Sequence, residues 1–242
     1  MSGFVFNGVN SDTFGIIVLE KKRPVLPEIN DNYLQIPGRH GSYLFPKELG
    51  DRIIEIDCAL PKKSLEELRS TIRNIAAWLY TTERKPLFFM DETDKYYMAK
   101  LDGAIDMDQI LAIGQFTLRF RCEPLAYGGE ITANFTNDTV TVNNPGSFEA
   151  LPSFTATFTK TANEWRVVLG AKYVRVVHNF QAGDVLEISN ATGLVLINGA
   201  RALDKLDWQY SEFFTLLPGI NTLSISPTGV CTAQISFVPR WL

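Results

Sequence analysis

The chain has 242 residues, 45% hydrophobic and 21% charged, with a formal net charge of −4 and a sequence pI of about 5.3. That length holds one large domain or two ordinary ones, and such a composition buries a core without a metal or disulfide staple. The mild acidity excludes the basic footprint of a nucleic-acid-binding surface. Three widely spaced cysteines, Cys58, Cys122 and Cys231, with no CxxC between them, exclude a disulfide framework and a zinc site of familiar spacing and point to a reducing compartment.

The first ten residues, MSGFVFNGVN, carry no basic segment and no long apolar core, so a signal peptide is not expected. The run Lys21-Lys22-Arg23 precedes Pro24 and Pro27 and reads as a solvated loop or an interface rim. Pro37-Gly38-Arg39-His40-Gly41 is a glycine-flanked turn. From Arg52 to Leu60 the chain alternates, with Ile54, Ile56, Cys58 and Leu60 on one face and Glu55 and Asp57 on the other, the pattern of a half-buried strand. Pro61 ends it. Ser64 and Glu67 then form an S-x-x-E capping box. Leu65, Leu68, Ile72, Ile75 and Leu79 recur at spacings of three and four, which predicts a helix from about Leu65 to Tyr80 with one apolar stripe laid on a sheet. Its apolar end, Ile75 to Tyr80, is far shorter than the ~20 residues of a membrane span, so no membrane partner is expected. Pro86–Met90 and Lys95–Leu101 flank the polar segment Asp91-Glu92-Thr93-Asp94 as a hairpin, and Gln115–Cys122 repeats the alternation of the earlier strand.

Near Glu123 the composition changes. Pro124, Gly128 and Gly129 punctuate the chain, and beyond them charge falls while Thr, Asn, Val and Ile rise. Short strands are expected at Ile131–Phe135, Thr139–Val142, Ser153–Thr159, Trp165–Leu169, Tyr173–Val177, Val185–Ser189, Leu194–Ile197, Thr222–Ser226 and Thr232–Val238. Turns such as Asn198-Gly199 and Pro218-Gly219 separate many of them. The expected fold is therefore mainly β: an α+β domain over residues 1–128, with one helix and a hairpin, and a β-sandwich or jelly roll over residues 129–242.

Candidate chemistry is sparse. His40 sits in its turn with no nucleophile or acid beside it in the sequence, and His178 ends an alternating strand; two isolated histidines make no three-ligand zinc site. The acidic groups Asp91, Glu92, Asp94 and Asp102, Asp106, Asp108 match neither a calcium loop nor a placed glycosidase pair and read as solvated turns. There is no G-x-S-x-G elbow, Walker A loop or dinucleotide fingerprint. No catalytic residue, metal ligand or cofactor is expected. Trp208 and Tyr210, with Trp165 and Trp241, raise a further class, stacking on sugar rings, against the commoner fate of packing in a sandwich.

The order of these signals resembles the distal tail protein family of siphophages and related prophages. The resemblance runs from Phe6-Asn7-Gly8-Val9-Asn10-Ser11 and Phe14-Gly15-Ile16-Ile17-Val18 to Ile36-Pro37-Gly38-Arg39-His40-Gly41, similar to the family's IPGRDG turn with His40 replacing its acidic residue. It continues through Ile53–Leu60, the helix end Ala77-Trp78-Leu79, the hairpin Leu87–Tyr97, and Phe116–Cys122 closing on Glu123-Pro124-Leu125. The second half, from Asn143-Asn144-Pro145-Gly146 through Ala182-Gly183-Asp184, Ile197-Asn198-Gly199 and Leu217-Pro218-Gly219 to Pro239-Arg240-Trp241-Leu242, is similar to that family's galectin-like module.

The resemblance implies a barrel-like, tail-tube-type N-terminal core and a galectin-like jelly roll after it. It implies a hexameric ring at the distal end of the tail of a virion assembled in the bacterial cytoplasm. The tail-tube protein would sit above it and a tail-associated fibre or lysin protein below. DNA would pass through the channel without specific binding, and receptor-binding proteins would be held outside. A closed ring uses heterologous contacts. The aromatic-bearing segments Pro37–Phe45 and Met90–Tyr97 are the expected subunit interface, with Pro37, Arg39, Tyr43, Phe45, Tyr96 and Tyr97 as its candidates. The rival readings are a carbohydrate-binding adhesin module of the tail tip, using Trp208 and Tyr210, and a cell-wall hydrolase.

Overall fold

The computed structural model describes residues 3–31, 33–44, 48–61, 64–103, 110 and 114–242. After Tyr127 the chain divides into two compact units, the second being Gly128–Trp241. It is mainly β, as the alternating patterns predict.

The first unit opens with β1 (Phe4–Phe6), β2 (Val9–Asn10) and β3 (Ile17–Lys22). Four two-residue strands follow: β4 (Ile29–Asn30), β5 (Tyr33–Leu34), β6 (Tyr43–Leu44) and β7 (Glu48–Leu49). Then come β8 (Arg52–Ala59), α1 (Leu65–Leu79), β9 (Lys85–Phe89), β10 (Glu92–Leu101) and β11 (Gln115–Tyr127). The main sheet is antiparallel, in the order β2-β1-β9-β10-β11-β8-β3. Asn7 and Gly8 turn β1 into β2 with φ of 50° and 77°, the left-handed pair that a two-residue hairpin turn requires and that Asn-Gly supplies. The alternation of β8 holds: Ile54, Ile56 and Cys58 are fully buried, and Phe116, Leu118, Phe120 and Cys122 of β11 answer them from the neighbouring strand.

The capping box of α1 forms in both directions. The Glu67 N–H donates to the Ser64 hydroxyl at 3.3 Å, and the Ser64 N–H donates to the Glu67 carboxylate at 3.4 Å. The stripe differs from the expected one at its ends. Leu65, in the first turn, is 62% exposed, while Trp78 is buried beside Ile75 and Leu79. Trp78 stacks on Phe14 at 4.8 Å and on Phe4 at 5.8 Å, and its indole N–H donates to the Phe6 carbonyl at 2.9 Å. This indole fixes the helix over β1, and Tyr80 is the extended C-cap rather than a helical residue.

Two boundaries move for identifiable reasons. β10 starts at Glu92, not Lys95, because the β9–β10 turn is tight and a register shift between Glu92 and Tyr96 absorbs the polar residues expected to form the loop. β11 runs past Cys122 to Tyr127 through Pro124, where the pairing with β10 is irregular between Tyr97 and Ala99. A proline lacks the ladder donor, and such a bulge is where a strand tolerates it.

The second unit contains β12 (Ile131–Asn134), β13 (Thr139–Asn144), β14 (Ser153–Phe158), β15 (Ala162–Leu169), β16 (Lys172–Phe180), β17 (Val185–Ser189), β18 (Leu194–Ile197), β19 (Ala200–Arg201), β20 (Gly219–Ser226) and β21 (Cys231–Phe237). They form two antiparallel sheets, β12-β21-β14-β17-β18-β19 and β13-β20-β15-β16. The sandwich core is aromatic and β-branched, with Trp165, Val167, Val174, Val176, Phe180 and Leu223 all at 0% exposure.

Candidate assembly surface

Between β3 and β8 the chain leaves the main sheet. β4 pairs with β7 and β5 with β6, so the described residues of 24–31, 33–44 and 48–50 fold back on themselves as a narrow arm. An arm of this kind has too little interior to bury its own apolar side chains. Val25 is 86% exposed, and Leu26, Ile29, Tyr33, Leu34, Ile36 and Tyr43 all stand in solvent. Scattered single apolar residues need no explanation, but so many exposed within one short stretch make it the candidate interaction surface of this unit.

The predicted interface residues fall in three places. Pro37, Arg39 and Tyr43 lie exposed at the arm's end, where the Arg39 guanidinium sits 3.8 Å above the Tyr43 ring. That stacking stiffens the tip. Phe45 lies outside the described residues. Tyr96 is half-buried on the body of the sheet, between Phe88 at 5.2 Å and Tyr127 at 5.7 Å, and burial raises its phenol pKa with the nearby Glu123 charge adding to the effect. Tyr97 does not belong with them. It points into the core, 8% exposed, edge-on to Phe89 at 6.2 Å and beneath Arg52, and burial pushes its pKa up. The strand alternation sends Tyr97 inward, so it is a packing residue of its own sheet.

The arm's outgoing leg is fastened to the β9–β10 turn. Lys21 and Arg23 pair with Asp91 at 3.1 and 2.6 Å, and Arg23 also lies over the Phe89 ring at 4.7 Å. Burial works to raise the Asp91 pKa, but the Lys21 hydrogen bond, a backbone donor and the Arg23 charge outweigh it and hold the group low. The basic run is therefore the arm's mooring, and the acidic segment of the hairpin is its counterpart. Asp102 is taken by Arg121 at 3.1 Å; Asp106 and Asp108 lie outside the described residues.

One residue of the expected strand Arg52–Leu60 has a role that its pattern does not disclose. Arg52 occupies an inward position of β8, in phase with Ile54, Ile56 and Cys58, and is 3% exposed. Its phase was the available signal: a charged residue on the apolar face of an alternating strand.

No converging catalytic set is found among the described residues. A concavity of about 380 Å³ along β3, β8 and β11 is lined by Leu19, Glu20, Asp57, Cys58, Gln115, Phe116 and Thr117. Asp57 there accepts from Lys22 at 2.8 Å and from the Thr117 hydroxyl at 2.6 Å, and both bonds lower its pKa. The Cys58 thiol is pushed up to about 12 by burial, so it offers no thiolate. His40 is exposed in its turn, and His178 lies edge-on to Phe180 at 5.0 Å. No group of three or more His, Cys, Asp or Glu side chains is placed to hold a metal ion among the described residues. None of their helices is long and apolar enough to cross a membrane.

In the second unit Trp208 and Tyr210 are 63% and 57% exposed. They stand on a loop held against β16. The Asp207 N–H donates to the Arg175 carbonyl at 2.9 Å and the Glu212 N–H to the Tyr173 carbonyl at 2.8 Å, while the Arg175 guanidinium bonds Glu164 and, at 3.1 Å, Asp207.

Comparison with known proteins accounts for both halves of the chain. Residues 11–122 match the family described as phage tail protein RIFT-related domain, and residues 145–241 match the siphovirus-type tail component, C-terminal domain. The chain belongs to the siphophage distal tail protein family. A curated relative is the distal tail protein of Bacillus phage SPP1, 28% identical over 194 residues, which cover 77% of this chain and 76% of that protein. The crystal structure of the SPP1 distal tail protein, described as a paradigm of the hub adsorption apparatus in phages infecting Gram-positive bacteria, superposes over the whole of both chains. Its TM-score is 0.85 at 20% identity. A chain of the phage P2 baseplate in its activated conformation aligns over 97% of each chain with a TM-score of 0.51 at 10% identity. The fold of the SPP1 distal tail protein is therefore kept in this chain at 20% identity.

Proposed function

We propose that the chain is a structural component of the distal end of a siphophage or prophage tail. Six copies close into a ring that joins the tail tube to the tip. A fibre or lysin protein is held below, and receptor-binding proteins are held by the C-terminal units. DNA passes through the channel without specific contacts. The protein is not an enzyme: its surfaces hold copies and virion parts together. Family membership along both halves supports this reading. The observation that carries it is the arm, whose solvent-facing Leu34, Ile36 and Tyr43 have no core of their own to enter. In a ring of heterologous contacts each copy reaches a different patch of the next, and a projecting apolar element suits that geometry. Light scattering and negative-stain imaging of the purified protein test it. Six-fold rings of six times the 27.1 kDa chain mass are expected. A monomer at high concentration, alone and mixed with tail-tube protein, would rule out ring formation.

A second reading concerns the C-terminal unit alone, where Trp208 and Tyr210 stand beside the fixed Arg175, Glu164 and Asp207 groups. Aromatic faces next to positioned hydrogen-bonding groups suit a sugar ring. Binding to a host-wall glycan array that falls at least tenfold in Trp208→Ala is the result expected of an adhesin. Equal binding, or none, by both proteins leaves that unit as scaffold.

A further inference from the structure

We infer that Arg52 is the positioning residue of the arm: its guanidinium locks the outgoing leg to the returning leg and so sets the direction in which the arm meets the next copy. The inference rests on the ring reading above for its consequence, but its geometry is independent of it. Arg52 follows directly on the returning leg and opens β8. Nη1 donates to the carbonyls of Pro24, at 2.6 Å, and Val25, at 3.2 Å, both on the outgoing leg just past β3. Nε and Nη2 donate together to the Pro124 carbonyl of β11, at 3.1 and 3.0 Å. The side chain therefore joins the outgoing leg, the returning leg and the bulge of the main sheet.

Three features argue that this is more than packing. First, a guanidinium in an apolar position is expensive to desolvate, and an apolar side chain of similar volume would serve the core at least as well. Second, among the described residues Arg52 meets no carboxylate; its donors go to three main-chain carbonyls, two of which, Pro24 and Val25, lie outside any strand. Third, the contacts on its two sides need a planar fork with several fixed donors, which a lysine ammonium does not reproduce. A second fastening lies outside: Asp51, the preceding residue, pairs with Arg84 at 2.6 Å and with Arg121 at 3.2 Å.

The test uses the full chain with Arg52→Met and Arg52→Lys, each made alone and together with the arm-tip changes Leu34→Glu and Ile36→Glu, which supply a background in which the arm makes no contact between copies. In that background, hydrogen exchange of the Gly50 amide, which donates to the Glu28 carbonyl at 2.7 Å across the arm's root, is expected to rise at least tenfold in both Arg52 variants. Exchange in β8 and β11 should stay unchanged. In the otherwise native chain, both variants should assemble at least tenfold less readily while keeping the near-ultraviolet signal of the body. A folded Arg52→Lys or Arg52→Met chain with native exchange at Gly50 overturns the inference. So does failure of both variants to fold, which would make Arg52 a core residue. If the arm-tip changes alone leave assembly intact, the arm has no part in the contact between copies, while the exchange result still decides the role of Arg52 within its own chain.

Discussion

Leu34→Glu combined with Ile36→Glu is expected to leave the chain folded and turn the ring into monomers. Both side chains lie on the arm, 48% and 45% exposed, so neither supports the core of its own copy. Exposed substitutions of that kind change stability by roughly half a kcal/mol or less. In the proposed ring the same side chains are the apolar anchors of a contact. Each is already about half covered, so burying the rest of one contributes about 0.7–1.5 kcal/mol, losing two removes about 1.5–3 kcal/mol from each contact, and the introduced carboxylates add a desolvation cost. At about 1.4 kcal/mol per tenfold, each contact weakens by roughly 10- to 100-fold, and every copy in a closed ring loses two. Light scattering across a concentration series should show the monomer mass, with the calorimetric profile unchanged. Rings that persist would place the contact elsewhere on the N-terminal unit and remove the arm from the assembly.

The regular parts of the fold were legible because their patterns are local. The two-residue alternation in β8 and β11, the capping box at Ser64 and Glu67, and the Asn-Gly turn at Asn198-Gly199, where both φ values are positive, each follow from a few neighbouring residues. The misses come from long-range effects. Pro124 reads as a strand end until a bulge in the neighbouring pairing accommodates it. The hairpin turn is shorter than its polar residues suggest because the register shifts to absorb them. Tyr97, in the strand expected over Lys95–Leu101, reads as an interface aromatic with Tyr96, but its strand parity turns it inward. The arm is harder still. Its four strands are two residues each, too short for any period to show, and of its apolar residues only those of the segment Pro37–Phe45 stand out, for their aromatics. Arg52 was legible in phase but not in purpose, since its partners Pro24 and Pro124 lie far away in the chain on either side.

Trp165→Ala is expected to unfold much of the C-terminal unit at moderate temperature while leaving the N-terminal unit standing. Trp165 is at 0% exposure and packs by Phe154 at 6.4 Å, which itself meets Phe214 at 5.9 Å. Removing so large a buried side chain costs about 3–5 kcal/mol, through lost transfer energy and the cavity left behind. A domain's whole stability is only about 5–15 kcal/mol, and for ~100 residues each kcal/mol moves the midpoint by roughly 4–8 °C, so a fall of more than about 12 °C follows. The N-terminal unit has its own core around Phe4, Phe6, Trp78 and Phe120, which this change does not reach. Calorimetry of the full chain should therefore show one transition displaced and the other fixed. Arm-driven assembly should survive at temperatures between the two, because it resides in the unit that remains folded. Two transitions moving together would mean that the halves do not unfold as separate domains, and loss of assembly with the first transition would mean that the sandwich, and not the arm, holds the ring.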